Sequence, residues 1–149
     1  MKTITGDLIQ LALEGVFEVI VHGCNCYGTM GAGIAKGIKK HFPEAYEADL
    51  KTEKGAKDKL GTFSFANIED KNLIVVNAYT QYHWRGTGRK VDYEAVRAVF
   101  KQIKKQFEGK KIAYPAIGAG LAGGDWNIIA TIIREELEGE DHTFVLYQA

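Results

Sequence analysis

Two stretches of the sequence carry residue types suited to holding an anion. Residues 21–35 read V-H-G-C-N-C-Y-G-T-M-G-A-G-I-A, leaving an apolar run and entering a helical one. Gly28, Gly31 and Gly33 tolerate positive backbone dihedrals and let a ligand approach the main chain. Free N–H groups at a helix start favour an anion, so a phosphate site is physically reasonable. The plainer alternative is a tight turn that lets the helix pack closely. Residues 115–126, P-A-I-G-A-G-L-A-G-G-D-W, repeat the arrangement of β-like run, glycines and helix start. Two such loops can clamp a diphosphate from both sides with backbone donors and no lysine. Neither fits G-x-x-x-x-G-K-[ST], and the first lacks a correctly placed G-x-G-x-x-G, which weakens the two commonest nucleotide-loop readings.

Other side chains are open to more than one reading. His22 ends a buried-looking strand, where it acts either as acid, base or nucleophile or as a satisfied core histidine. Cys24 and Cys26 are spaced for neither a comfortable disulfide nor a four-ligand zinc site, and reduced, non-nucleophilic thiols are expected. His41 and His142 read as surface residues without a catalytic part. His83, Trp84 and Arg85, with Arg89 and Lys90, can steer a phosphate or a polynucleotide. Solvated loop charges are the simpler account, so nucleic acid is not the favoured partner. No residue pattern calls for a metal or a cofactor.

The elements that position these loops follow from hydrophobic periodicity. Runs at 17–21, 60–65, 73–78, 112–116 and 143–147 read as strands. Tyr93, Val96, Phe100, Ile103 and Phe107 share one helical face, and Gly109 stops that helix. A second helix runs from an N-cap at Asp125 to Gly139, with shorter ones at 8–13 and from 33 to about 41, where Pro43 marks a break or restart. The order is strand, helix, strand, helix, two strands, helix, strand, helix, strand. It predicts an α/β fold, a mixed and largely parallel sheet with helices on both faces, whose ligands sit beyond the carboxyl ends of the strands.

Composition narrows the class. With 149 residues, 46% of them apolar, the chain supports one domain over 1–149. Lys plus Arg and Asp plus Glu each number 19, so no net field draws in nucleic acid or an anionic membrane, and an anionic ligand must be gripped locally. Charged residues break every apolar run well short of the roughly 20 residues of a membrane span, and a soluble, cytoplasmic protein is expected. The 17 glycines cluster at 28–37, 86–88 and 118–124, and there is no linker or internal repeat.

G-D-L at 6–8, H-G-C-N-C-Y-G-T-M-G-A-G-I-A at 22–35 and P-A-I-G-A-G-L at 115–121 together resemble the macro-domain family in order and spacing, across essentially the whole chain. The resemblance implies a ligand, ADP-ribose or its 1''-phosphate. Asp7 then accepts the adenine amino group, a role compatible with capping the first helix, and Leu8 offers backbone contact. Asn25 lies near the distal ribose. Gly31, Ala32 and Gly33 face Ile117, Gly118, Ala119, Gly120 and Leu121 across the diphosphate. Tyr147, near the end of the last strand, either stacks beside adenine or is a core or edge tyrosine.

Within that family, His22 three residues before Asn25 is similar to the yeast-type ADP-ribose 1''-phosphate phosphatases, which implies catalysis by His22 and Asn25. M-G-A-G-I-A-K-G-I-K-K-H-F-P-E-A-Y and T-Q-Y-H-W-R-G are similar to ADP-ribosyl glycohydrolases acting on modified DNA or on carboxylate-linked protein. That branch uses a lysine where this chain has Gln81, and some members an aspartate where it has Ala122. The expected activity is therefore hydrolysis of ADP-ribose 1''-phosphate, with glycohydrolysis or ADP-ribose reading without turnover as alternatives.

Overall fold

The computed structural model describes residues 1–85 and 88–148. Gly86, from the second glycine cluster, lies outside them. Six strands form one sheet: β1 (Lys2–Gly6), β2 (Val19–Cys24), β3 (Phe63–Ile68), β4 (Leu73–Tyr79), β5 (Ile112–Tyr114) and β6 (His142–Tyr147). Their order is β1-β6-β5-β2-β4-β3, parallel throughout except for β3 against β4. The sequences V-I-V-H-G-C and L-I-V-V-N-A-Y belong to interior strands, because helices on both faces leave few positions exposed. K-T-I-T-G and F-S-F-A-N-I, at the two edges, keep mostly wetted positions.

Among the described residues five α-helices cover the sheet: α1 (Leu8–Leu13), α2 (Gly33–His41), α3 (Pro43–Leu50), α4 (Tyr93–Gln106) and α5 (Trp126–Glu136). Side chains alternate across β2, so Val19 and Val21 face one way and Ile20 the other. The first pair meets Val96, Phe100 and Ile103 of α4 and Ile129 and Ile133 of α5. Ile20 meets Leu8 of α1, Ile38 of α2 and Ala45 of α3. Burial of each such Ile, Leu or Phe is worth about 1.5–3 kcal/mol, so the two layers hold the sheet from both sides. Arg97 of α4 ties down α5 through Glu135 and Glu136, at 2.8 and 2.6 Å.

The expected α/β architecture is the one observed, with shifts at element ends that have physical causes. Pro115 has no N–H to continue the ladder, so β5 ends at Tyr114 rather than running to 116. The run expected at 60–65 begins pairing only at Phe63, because residues Lys57–Lys59 form a 3-10 turn and Gly61 turns the chain at φ 87°. Pro43 restarts a helix. His142 is a correction, since it is 6% exposed and its Nδ1 lies 2.6 Å from the Tyr114 hydroxyl. Burial lowers its pKa to about 4. Among the described residues no helix is long and apolar enough to cross a membrane.

Candidate ligand cleft

The loops that leave β2, β4 and β5 rise from one edge of the sheet and enclose a cleft of about 740 Å³. Asn25, Thr29, Gly31, Ala32 and Gly33 form one wall; Ile117, Gly118, Gly120 and Leu121 form the opposite one. Gln81, Trp84, Lys90 and Ala122 close the end nearest β4. Gly23 and Cys24 lie at its base.

Each wall is shaped by local chemistry. Asn25 Oδ1 accepts the Tyr27 N–H at 2.8 Å, and its Nδ2 donates to Thr29 Oγ1 at 2.7 Å, which curls the first loop over the cleft. The loop then enters α2. Ala32, at the N-cap, offers no side-chain acceptor, whereas Asp7, Asp92 and Asp125 cap α1, α4 and α5. The first amides of α2 therefore stand uncapped by side chains beside cleft-lining Gly33, Ile34 and Ala35. In the second loop Gly118 has φ 73°, and a Cβ there would lie 2.5 Å from Val91 Cγ2, so this turn requires glycine. Gly31 and Gly120 differ: neither has a positive φ, and a Cβ on either would meet nothing within 4 Å. The fold alone does not demand glycine at those two positions.

Among the described residues lining the cleft there is no carboxylate and one charged side chain, that of Lys90. With the open start of α2 this makes the cleft favourable to an anion.

The structure places His22 elsewhere. It is 1% exposed, faces the α3 side of the sheet and does not line the cleft. Asn77 Oδ1 lies 2.7 Å from His22 Nε2, and an amide oxygen only accepts, so the imidazole carries its proton on Nε2. Asn77 Nδ2 donates to the Ala45 carbonyl at 2.9 Å and to Ser64 Oγ at 3.0 Å. The chain continues through the Tyr79 hydroxyl, 2.7 Å from Ser64, which donates to Asp49 Oδ1 at 2.6 Å. Burial lowers the His22 pKa to about 4, against a smaller opposing effect of Asn77, so the ring is neutral near pH 7. Burial is also the main cause that raises the Asp49 carboxyl and the Cys24 and Cys26 thiols, both of which are free cysteines.

The remaining expected site residues divide in two. Asp7 accepts N–H bonds from Ile9 and Gln10 at 3.0 and 3.2 Å and so caps α1. Gly6 pairs with Tyr147, which is 71% exposed, so Asp7 and Tyr147 share the carboxyl ends of neighbouring strands just outside the cleft. Leu8 is core, and Ala119 is half-buried and does not line the cleft, its N–H donating to the Ala116 carbonyl at 3.1 Å. Sequence reasoning missed Thr29, whose only signal is its spacing from Asn25, and buried Lys59. The Lys59 ammonium donates to the Cys26 carbonyl at 3.0 Å and thereby anchors the first loop from below.

A model of the macro domain family matches residues 21–133. The chain belongs to the macro domain family. This macro domain is 37% identical over 140 residues to an uncharacterized 17.5 kDa protein of Enterobacteria phage T4, covering 89% of this chain and 87% of that one. It is 29% identical to a DNA ADP-ribosyl glycohydrolase of Thermus aquaticus, covering 93% of this chain but 38% of the relative's length. It is 24% identical to an ADP-ribose 1''-phosphate phosphatase of Candida albicans, where coverage is 91% and 92%. In fold it is similar to the solved macrodomain of Thermus aquaticus DarG, with TM-score 0.76, 24% identity and coverage of 99% and 97%.

Proposed function

We propose that this macro domain binds ADP-ribose along the carboxyl edge of its sheet and hydrolyses ADP-ribose 1''-phosphate to ADP-ribose and phosphate. The observation that carries the reading is the pairing of an uncapped helix start with Gly31 and Gly120, two glycines on opposite loops that the fold does not need. A diphosphate lying against both loops explains why no Cβ stands there. Adenine then lies toward Asp7 and Tyr147, and the distal ribose toward Asn25. Phosphoryl transfer depends mainly on positioning and on stabilising charge, and backbone amides contribute to both. His22 supports this chemistry from below, by holding β2 to β4 and α3, rather than by touching substrate. The end-to-end match to a fungal phosphatase supports the phosphate ester as substrate.

A second reading rests on Trp84 in the cleft wall and on the glycohydrolase relatives: release of ADP-ribose from modified DNA. Gln81, neutral and non-nucleophilic, lines the position where the resemblance implies a lysine, and argues against it.

The test is a parallel turnover assay on ADP-ribose 1''-phosphate, ADP-ribosylated DNA and ADP-ribosylated protein, beside calorimetry with ADP-ribose. Phosphate release from the first substrate alone is expected. Tight ADP-ribose binding without any turnover would leave a reader. Gly31→Val should weaken ADP-ribose binding at least about tenfold while leaving the melting temperature unchanged, since only a ligand occupies that space. Equal affinity of the variant and the parent would remove the diphosphate from between the loops.

A further inference from the structure

We propose that β3, the antiparallel edge of the sheet, is where a second copy of this chain docks, joining two sheets into one through a two-fold β3–β3 pairing. The pairing does not depend on what the cleft binds. The Tyr79 N–H donates to the Thr62 carbonyl at 2.9 Å. Backbone groups alternate in direction along a strand, so Ser64, Ala66 and Ile68 turn theirs to β4, and Phe63, Phe65 and Asn67 turn theirs outward. Among the described residues nothing takes up those outward groups. Such an edge is normally blunted by a lysine, a proline or a bulge. F-S-F-A-N-I has none of these: it is uncharged and pairs with β4 in unbroken register from Phe63 to Ile68. At the other edge, β1 is shorter and carries Lys2.

This edge is complementary to itself. The outward-facing residues are symmetric about Phe65, so antiparallel pairing centred there sets Phe65 against Phe65 of the second copy and Phe63 against its Asn67, and every outward N–H meets a carbonyl. On the α4 face Phe65, 37% exposed, packs with Phe63 and Phe107 at ring separations of 6.1 and 5.6 Å, and the axis sets two such clusters side by side. On the other face a groove of about 480 Å³ runs between α3 and β3, lined on the helix by Glu44, Glu47, Ala48 and Lys51. Their spacing puts them on one stripe of α3, acidic at its start and basic at its end. Glu44, Glu47 and Lys51 are exposed, and among the described residues none of them has an ion-pair partner. The two-fold axis stands normal to the sheet, so it lays the two α3 helices antiparallel on the same face, with Lys51 of each copy toward Glu44 of the other. An unrelated partner would need that charge pattern by coincidence, whereas a second copy has it by symmetry. The same axis reverses the strands, so the two clefts open at opposite ends of the joined sheet.

Sedimentation velocity over a concentration series tests this. The parent should pass from monomer to dimer below about 100 μM. Phe65→Lys sets two like charges at the axis, and Lys51→Glu or Glu44→Lys sets like charges at both ends of the α3 pair. Each should raise the dissociation constant at least about tenfold. An equimolar mixture of Lys51→Glu and Glu44→Lys chains should recover the dimer, because opposite charges then meet at both ends, and the double variant in one chain should recover it too. That recovery also reports that the single variants are folded. In amide exchange, Phe63, Phe65 and Asn67 should slow as concentration rises, while Ser64 and Ala66 stay unchanged. A parent that remains monomeric throughout would leave the edge to an extended segment of another protein and overturn the assignment. A dimer that ignores all three substitutions, or charge variants that stay apart on mixing, would overturn it as well.

Discussion

At the scale of single residues, His22 shows how a side chain suited to chemistry serves structure instead. Removing its ring opens a space in a fully packed layer and strips Asn77 Oδ1 of its donor, which together should cost about 2–4 kcal/mol. His22→Ala should therefore lower stability in a urea titration by that amount. ADP-ribose affinity of the folded variant should change by less than about tenfold. A large loss of turnover with unchanged stability would put the imidazole in contact with substrate. Asn25→Ala should behave oppositely, weakening ADP-ribose binding by about 1–3 kcal/mol in calorimetry, because the same side chain shapes the loop and faces the cleft. The signal for His22 lies in the alternation of β2, which puts it on the face of Ile20, and in Asn77, a polar residue inside the apolar run L-I-V-V-N-A-Y. Lys59 and Asp49 gave no such signal. Each is an ordinary charged residue in a polar stretch, and only the packing of α3 and of the Lys57–Lys59 turn around Tyr79 of β4 shows that they are buried.

At the scale of elements, the two loops carry glycines of two kinds, and mutation should separate them. Gly118→Ala forces an L-residue into φ 73° and drives its methyl into Val91. It should lower stability by at least about 1–3 kcal/mol and deform the second loop, so that melting temperature and ADP-ribose binding fall together. Gly31, free of both constraints, should affect binding alone. The helices and strands were legible in advance because their periods are strong: the apolar face of α4 and the Asp125 cap of α5 appear where the pattern puts them. The offset of β3 and the short β5 were less so. Strand ends depend on where a proline or a glycine turn interrupts the ladder, which hydrophobicity does not report. The glycine-rich segments were equally plain, but the absence of a side-chain cap on α2 has meaning only once the helix start is seen to open on the cleft.

At the scale of the whole molecule, two buried neutral histidines make stability depend on pH. His22 and His142 each have a folded pKa near 4, against an ordinary value of 6.5. Above 6.5 neither state takes up the proton. Below it the unfolded chain is protonated first, so folding free energy falls as pH drops from about 6.5 to 4, with a limiting slope of about 1.4 kcal/mol per pH unit for each histidine. Urea titrations across that range should show the decline, and replacing His142 by an isosteric neutral residue should roughly halve its slope. The sheet has one more consequence, and it concerns time. The first strand has a single neighbour, β6, the last, and Lys2 reaches across to Asp141, 139 residues later. Closing so long a stretch of chain is slow relative to the local hairpin of β3 and β4. In pulsed hydrogen exchange during refolding, amides of β2, β4 and β3 should therefore become protected before those of β1. Because Asp7 and Tyr147 come together only through that final pairing, the region proposed to hold adenine should be the last part to mature, and a nascent chain should bind the proposed ligand only after β6 has emerged.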